Sequence, residues 1–296
     1  LVTTLLVAGC GDKTPAPVPD KPAPVPDKPA PGPAPEQPKY GGTLTTFVSG
    51  EPGAWDPQRQ ARYAPSYTLQ IFNNLVGFDN TKSGIIPENI VGELAESWDI
   101  SADGLTWTFN LVKNATWHDG KAFNAEDVVG NFEKIVDPER SKMAGQFPAY
   151  VSSRAVDDYT VEVKLSRPQP SMAAILASGY CPIVPVHLAD AEAWKTTAFL
   201  VGTGPFILEH YEPGVSMEYV RNPNYWNSDE FGNQLPYLDG IKIFKMTDRN
   251  AQVDAFATKR LDMLRPSIGI TSKSVEDRIN EQTPDAEVIW AQMASQ

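Results

Sequence analysis

The period of hydrophobic and polar positions changes several times along this chain, and each change predicts an element. Thr43 to Val48 is rich in β-branched and aromatic residues and predicts a strand, ended by the turn Ser49-Gly50-Glu51-Pro52-Gly53 before Trp55-Asp56-Pro57. Tyr67 to Val76 places Leu69, Phe72, Leu75 and Val76 at helical spacing, which predicts a core-facing helix. After the turn Ala102-Asp103-Gly104, Trp107, Phe109 and Leu111 alternate with polar residues, as a half-buried strand does. Asn124 predicts a helix N-cap, because Glu126 and Asp127 follow where the positive end of the helix dipole favours acids. Val128, Val129, Phe132, Ile135 and Val136 form its apolar face, and Asp137-Pro138 stops it.

Further on, Tyr159, Val161, Val163 and Leu165 alternate with Thr160, Glu162 and Lys164 as a strand, Ser171 to Leu176 is a short helix, and Tyr180 to Pro185 is an apolar strand edge. Two strand patterns, Phe206-Ile207-Leu208 and Met217-Glu218-Tyr219-Val220, flank the turn Glu212-Pro213-Gly214 and predict a hairpin. Ile241 to Met246 reads as a strand and Asn250 to Thr258 as a helix. The approach to the hairpin is Val201-Gly202-Thr203-Gly204-Pro205. Its glycines lack the Cβ atoms that would hold a partner off the backbone, and Pro205 deletes an N–H. Two readings stand open: a tight turn before a strand, or a turn whose Thr203 hydroxyl and free amides receive something.

Charge narrows the partners. The 296 residues are 41% hydrophobic and carry a net charge of −12 with a pI near 4.7, and lysines and arginines nowhere cluster. That argues against nucleic acid or anionic headgroups as partners. The cysteines Cys10 and Cys181 and the histidines His118, His187 and His210 are not spaced as metal ligands, so no metal or cofactor is expected. Adjacent His118 and Asp119 share no helical face with Glu126, which argues against an acid/base site there. Cys181 reads as a small buried hydrophobe.

Leu1 to Gly9 is apolar and ends in Val7-Ala8-Gly9-Cys10, the form of a signal-peptide tail and lipobox over residues 1–10, with Cys10 the lipidated residue. Such a run is too short to span a bilayer, which takes about twenty residues. Residues 11–39 hold eleven of the 27 prolines and repeat Val-Pro-Asp-Lys-Pro-Ala-Pro, so this segment favours an extended polyproline tether.

Several motifs now fall into one order: Gly41-Gly42-Thr43-Leu44, Glu51-Pro52, Asp56-Pro57, Leu94-Ala95-Glu96-Ser97-Trp98, Asp103 to Phe109, Trp117 to Val129, Gly202-Thr203-Gly204-Pro205-Phe206, Arg221-Asn222-Pro223-Asn224-Tyr225-Trp226 and Pro236-Tyr237-Leu238-Asp239-Gly240-Ile241. The chain resembles the extracellular solute-binding proteins of family 5, which serve ABC transporters and include peptide-, oligopeptide- and nickel-binding receptors. The resemblance implies a two-lobed α/β fold of the periplasmic-binding-protein type (type II) that closes on a solute like a hinge and performs no chemistry on it. It places a discontinuous first lobe at 40–56 and 166–265, an inserted α/β subdomain at 57–165, and the start of a second lobe at 266–296, most of that lobe lying beyond the end of this sequence.

By the same resemblance Glu51, Pro52, Gly53, Thr203 and Gly204 face the solute, and Phe147, in the loop Ser141 to Tyr150, touches it; a solvent-exposed turn is the rival reading at Glu51. The implied partners are a small solute, a peptide before a nickel chelate, sugar or opine, and an ABC permease. The implied state is a monomer outside the cytoplasm, held to the membrane by its lipid alone. A sensor, chaperone or adhesin on the same scaffold is the alternative. An enzyme built on paired carboxylates is disfavoured, since no pair has a recognisable partner geometry.

Overall fold

The computed structural model describes residues 38–264 apart from 60–63, 80–81, 83, 85 and 190–191, together with 279, 281 and 283. Cys10 and its lipobox, the proline-rich stretch to residue 37 and the expected second-lobe start at 266–296, those three residues excepted, lie outside the described residues.

Two four-stranded sheets dominate. The first joins β1 (Thr43–Val48), β8 (Phe206–Glu212), β9 (Ser216–Arg221) and β10 (Gly240–Lys245) in the order β1-β10-β9-β8. β8 and β9 are the predicted hairpin, and β10 runs antiparallel to β9 and parallel to β1, pairing Thr43 with Gly240 and Val48 with Lys245. One face packs Val48, Phe206, Met217, Tyr219 and Ile243 against Trp55, Tyr67, Ile71, Phe72, Phe199 and Leu200. The other presents Phe47 to Ala255 of the helix Arg249–Ala257 and to Leu261. Period two explains the split, since Phe47 and Val48 are neighbours on opposite faces. The outer edge of β1 is covered as well: Thr45 N donates to the Asp262 carboxylate at 2.7 Å, and Asp262 N donates back to Thr45 O at 3.0 Å.

The second sheet is antiparallel, in the order β4 (Ala95–Ile100), β5 (Thr106–Leu111), β7 (Thr160–Leu165), β6 (Tyr150–Asp157). Trp107, Phe109 and Leu111 of β5 and Val161, Val163 and Leu165 of β7 are buried, while the residues between them reach solvent. Helix α2 (Ala125–Ile135) lies on the buried face, its Phe132 ring 6.1 Å from that of Tyr150 and 6.3 Å from that of Phe109. Its start is a capping box: the Asn124 side chain accepts from Glu126 N and Asp127 N, and Asp127 accepts from Asn124 N. A short ribbon of β2 (Val76–Phe78) and β3 (Ile90–Gly92) completes the described strands.

Two predicted elements differ. The apolar spacing at 67–76 predicts one helix, yet α1 spans Ala64–Thr68 and the chain then uncoils, leaving Leu69 exposed. Carbonyls that would close helical turns are taken by other segments: Gln70 O by Phe206 N, Ile71 O by Gly204 N, Asn73 O by Ile183 N and Asn74 O by Leu94 N, all within 3.1 Å. Tertiary partners thus outbid local helix formation. The segment 180–185 joins no sheet. The Asn131 side chain serves as its partner, donating to Val184 O at 2.8 Å and accepting from Val184 N at 3.0 Å.

A buried polar cluster ties α2 to the segment Asp56 to Gln58. Lys134 is wholly buried, with Nζ 2.9 Å from Asp56 Oδ2 and 2.7 Å from Gln58 Oε1. Gln58 also donates to Asn131 and to Pro182 O. Burial pulls the Lys134 ammonium below its usual range, and the Asp56 carboxylate acts against that pull.

Candidate functional site

The glycine turn is occupied by the protein itself. Gly204 N donates to Ile71 O at 2.8 Å, Asn222 N donates to Pro205 O at 2.8 Å, and the Asn222 side chain donates to Gly204 O at 3.0 Å. A Cβ at position 202 would lie 1.9 Å from Ile71 O, and one at 204 would lie 2.5 Å from the same oxygen, so both glycines are required by a backbone of the same chain. Thr203 is fully buried, and its hydroxyl donates to Asn73 Oδ1 at 3.2 Å. The Thr203 hydroxyl and the amides of Gly202 and Gly204 that flank it thus have partners within the chain.

His118 brackets the turn from the second sheet's side. It sits in the short hairpin 116–122, closed by the bridge between Thr116 and Ala122 and fastened by Trp117 Nε1 donating to Asp127 Oδ2 at 3.1 Å. His118 N donates to Gly202 O at 2.8 Å, Gly202 N donates to His118 Nδ1 at 3.2 Å, and Nε2 lies 3.0 Å from Gly204 O. Because Nδ1 accepts from an amide, the ring proton resides on Nε2 and the imidazole is neutral. Burial pushes its pKa down, opposed by the Gly204 carbonyl and Asp119. Asn73 is the other hub, accepting from Thr203 and Trp226 Nε1 and donating to Glu93 and the Tyr225 hydroxyl. Burial pushes the Tyr225 phenol up to about 12 and raises Glu93 as well.

The segment Gly50 to Gly53 is built differently. Tyr67 donates to Gly50 O at 2.8 Å, and Glu51 Oε1 accepts from Gly214 N at 2.6 Å and from the Tyr211 hydroxyl at 3.3 Å, with Lys245 Nζ 3.7 Å from Oε2. Trp55 packs edge-on to Tyr67 and Tyr211 behind it. Burial raises the Tyr211 phenol, and the Glu51 carboxylate raises it further. Glu51 and Pro52 are half-buried and Gly53 is exposed. Among the described residues no backbone hydrogen bond engages the N–H or C=O of Glu51, the C=O of Pro52, or either group of Gly53.

Side chains therefore hold this strap, and its peptide groups have no backbone partner among the described residues. It continues from β1, whose ladder ends with Met246 N on Val48 O. The strap and the turn meet at one segment: Tyr67 touches the first, and Ile71 and Asn73 touch the second. Phe147 belongs elsewhere. It is 5% exposed and packs in the core under the second sheet, as a structural residue would. The roles of His118, Asn73 and Lys134 were invisible in sequence, where a lone histidine, asparagine or lysine carries no positional signal.

The model of the bacterial extracellular solute-binding proteins, family 5, matches residues 89–293. The chain belongs to this family. It is 27% identical over 281 residues to di/tripeptide-binding protein 2 of Pseudomonas aeruginosa, covering 86% of this chain and 49% of that protein. It is 31% identical over 230 residues to the dipeptide-binding protein of Escherichia coli, covering 69% and 41%. In three dimensions it resembles an ABC-transporter-associated periplasmic binding protein from Helicobacter pylori in complex with the peptide STSA, with a TM-score of 0.62, 26% identity, and coverage of 75% of this chain and 46% of that one. The fold of this family 5 chain is thus the α/β fold of periplasmic binding proteins, and the chain spans less than half the length of each of these relatives. No helix among the described residues is long and apolar enough to cross a membrane.

Proposed function

We propose that this chain belongs to the substrate-binding subunit of an ABC importer that takes up a peptide-like solute. The observation that carries the reading is the strap at Glu51, Pro52 and Gly53: peptide groups just beyond a sheet strand, fixed by side chains and without a backbone partner among the described residues, suit main-chain pairing with an extended peptide. Two relatives named for di- and tripeptides, and a solved relative holding a peptide, support that solute class. Thr203 and Gly204 contribute by shaping the floor behind the site through Asn73 and Ile71. In this proposal solute favours a closed state and a permease receives it, with no reaction on the solute. Cys10 carries the lipid that holds the receptor outside the cytoplasmic membrane.

The test is a thermal-shift series on the complete subunit with tri-alanine, di-alanine, nickel–histidine and a hexose. At 100 times its Kd a ligand adds about 2.7 kcal/mol of stability. A shift with the peptides alone is the expected result. A shift with nickel–histidine or hexose alone overturns the peptide assignment.

A further inference from the structure

Glu51 is the one charged side chain of the strap, and its position invites pairing with a cationic ligand group. Its carboxylate is already engaged. Oε1 accepts the Gly214 amide at 2.6 Å and the Tyr211 hydroxyl at 3.3 Å, while Oε2 faces Lys245 at 3.7 Å. Gly214 stands at the tip of the β8–β9 hairpin with φ of +78°, a conformation that keeps its N–H turned into the carboxylate's reach and that side chains rarely adopt. Tyr211 is held in turn by the edge of Trp55, 4.9 Å between ring centres. The negative charge is thus engaged inside the protein, while the backbone of the strap has no backbone partner among the described residues.

We propose that Glu51 is a positioning residue: it fastens the strap to the hairpin tip so that the peptide groups of residues 51–53 are preorganised for a ligand main chain, and it does not select ligands by side-chain charge. This rests on the solute reading above and sharpens it, because the strap then reads only what all peptides share. The preorganisation matters through an entropy already spent before binding. Glutamine at this position retains an oxygen that accepts from Gly214 N and carries no charge, so the two roles separate.

The experiment uses the complete substrate-binding subunit and two probes, tri-alanine and Ala-Lys-Ala, with titration calorimetry for affinity and amide exchange at Gly214 for the fastening. Glu51→Ala is expected to lose Gly214 protection and to weaken both peptides equally, by about tenfold, the worth of one charge-assisted hydrogen bond. Glu51→Gln is expected to restore both. Selective loss of Ala-Lys-Ala in Glu51→Gln overturns the proposal in favour of charge recognition. Unaltered affinity for both peptides in Glu51→Ala overturns it in favour of a merely structural contact. Failure of the unaltered chain to bind either peptide overturns the solute reading itself, and the proposal with it.

Discussion

The backbone of Gly202 lies so close to Ile71 that an added Cβ would stand 1.9 Å from the Ile71 carbonyl oxygen. That oxygen already accepts from Gly204, so the two segments are locked main chain to main chain with no side chain between them. Gly202→Ala is expected to cost at least about 1–3 kcal/mol, the range for forced overpacking, and more if Ile71 cannot retreat. Urea denaturation of the purified variant reads the loss; unchanged stability would mean that the two backbones are not held in this register.

His118 gives the same turn a pH dependence. Its folded-state pKa is lowered, so folding favours the neutral ring. The stability it contributes is complete above the ordinary histidine value of 6.5 and declines as pH falls from there toward the lowered folded value, because in that interval the unfolded chain binds a proton that the folded one refuses. Urea midpoints measured from pH 7.5 downward should fall more steeply for the parent than for His118→Gln. At pH 7.5 His118→Ala should itself cost about 1–3 kcal/mol, since it strands the Gly202 amide in a buried position. Parallel pH profiles for parent and His118→Gln would remove the histidine from this role.

The Asp56–Lys134 pair predicts an asymmetry. Asp56→Ala leaves an ammonium buried without its counter-charge and should cost about 3–5 kcal/mol. The double change Asp56→Ala with Lys134→Met removes that stranded charge and should be more stable than Asp56→Ala alone. A double-mutant cycle of chemical denaturation measures the coupling, and a double variant no better than the single would show that the charge is not confined.

Cys181 is 2% exposed, and burial pushes its thiol up to about 12. Native protein at pH 8 should resist iodoacetamide at this residue and become labelled there only in denaturant, as mass spectrometry of the peptide containing Cys181 would report. Rapid native labelling would place the thiol at a mobile surface.

How much of this was legible in the sequence depends on the range of the contacts that decide each element. Asn124 and Asp127 are three apart, so the capping box announces itself, and the alternation in β5 and β7 needs only neighbours. The 67–76 segment failed because its carbonyls answer to residues 183, 204 and 206, and nothing in a local period reports that. At the turn, the glycines signal a close backbone approach, and the backbone that approaches them is that of Ile71, about 130 residues away in the chain. Glu51 is a site candidate only through the resemblance carried by Glu51-Pro52, and whether its charge is free depends on Gly214, far away in the chain.

The parallel pairing of β1 with β10 has a consequence in time. Its two strands lie about 200 residues apart, and no hairpin can bring them together early. At a synthesis rate of about 5–20 residues per second, β1 waits on the order of 10–40 s on the ribosome before its partner exists. Until then β1 is a bare edge, and the sheet that carries the strap can close only after β8, β9 and β10 have all emerged.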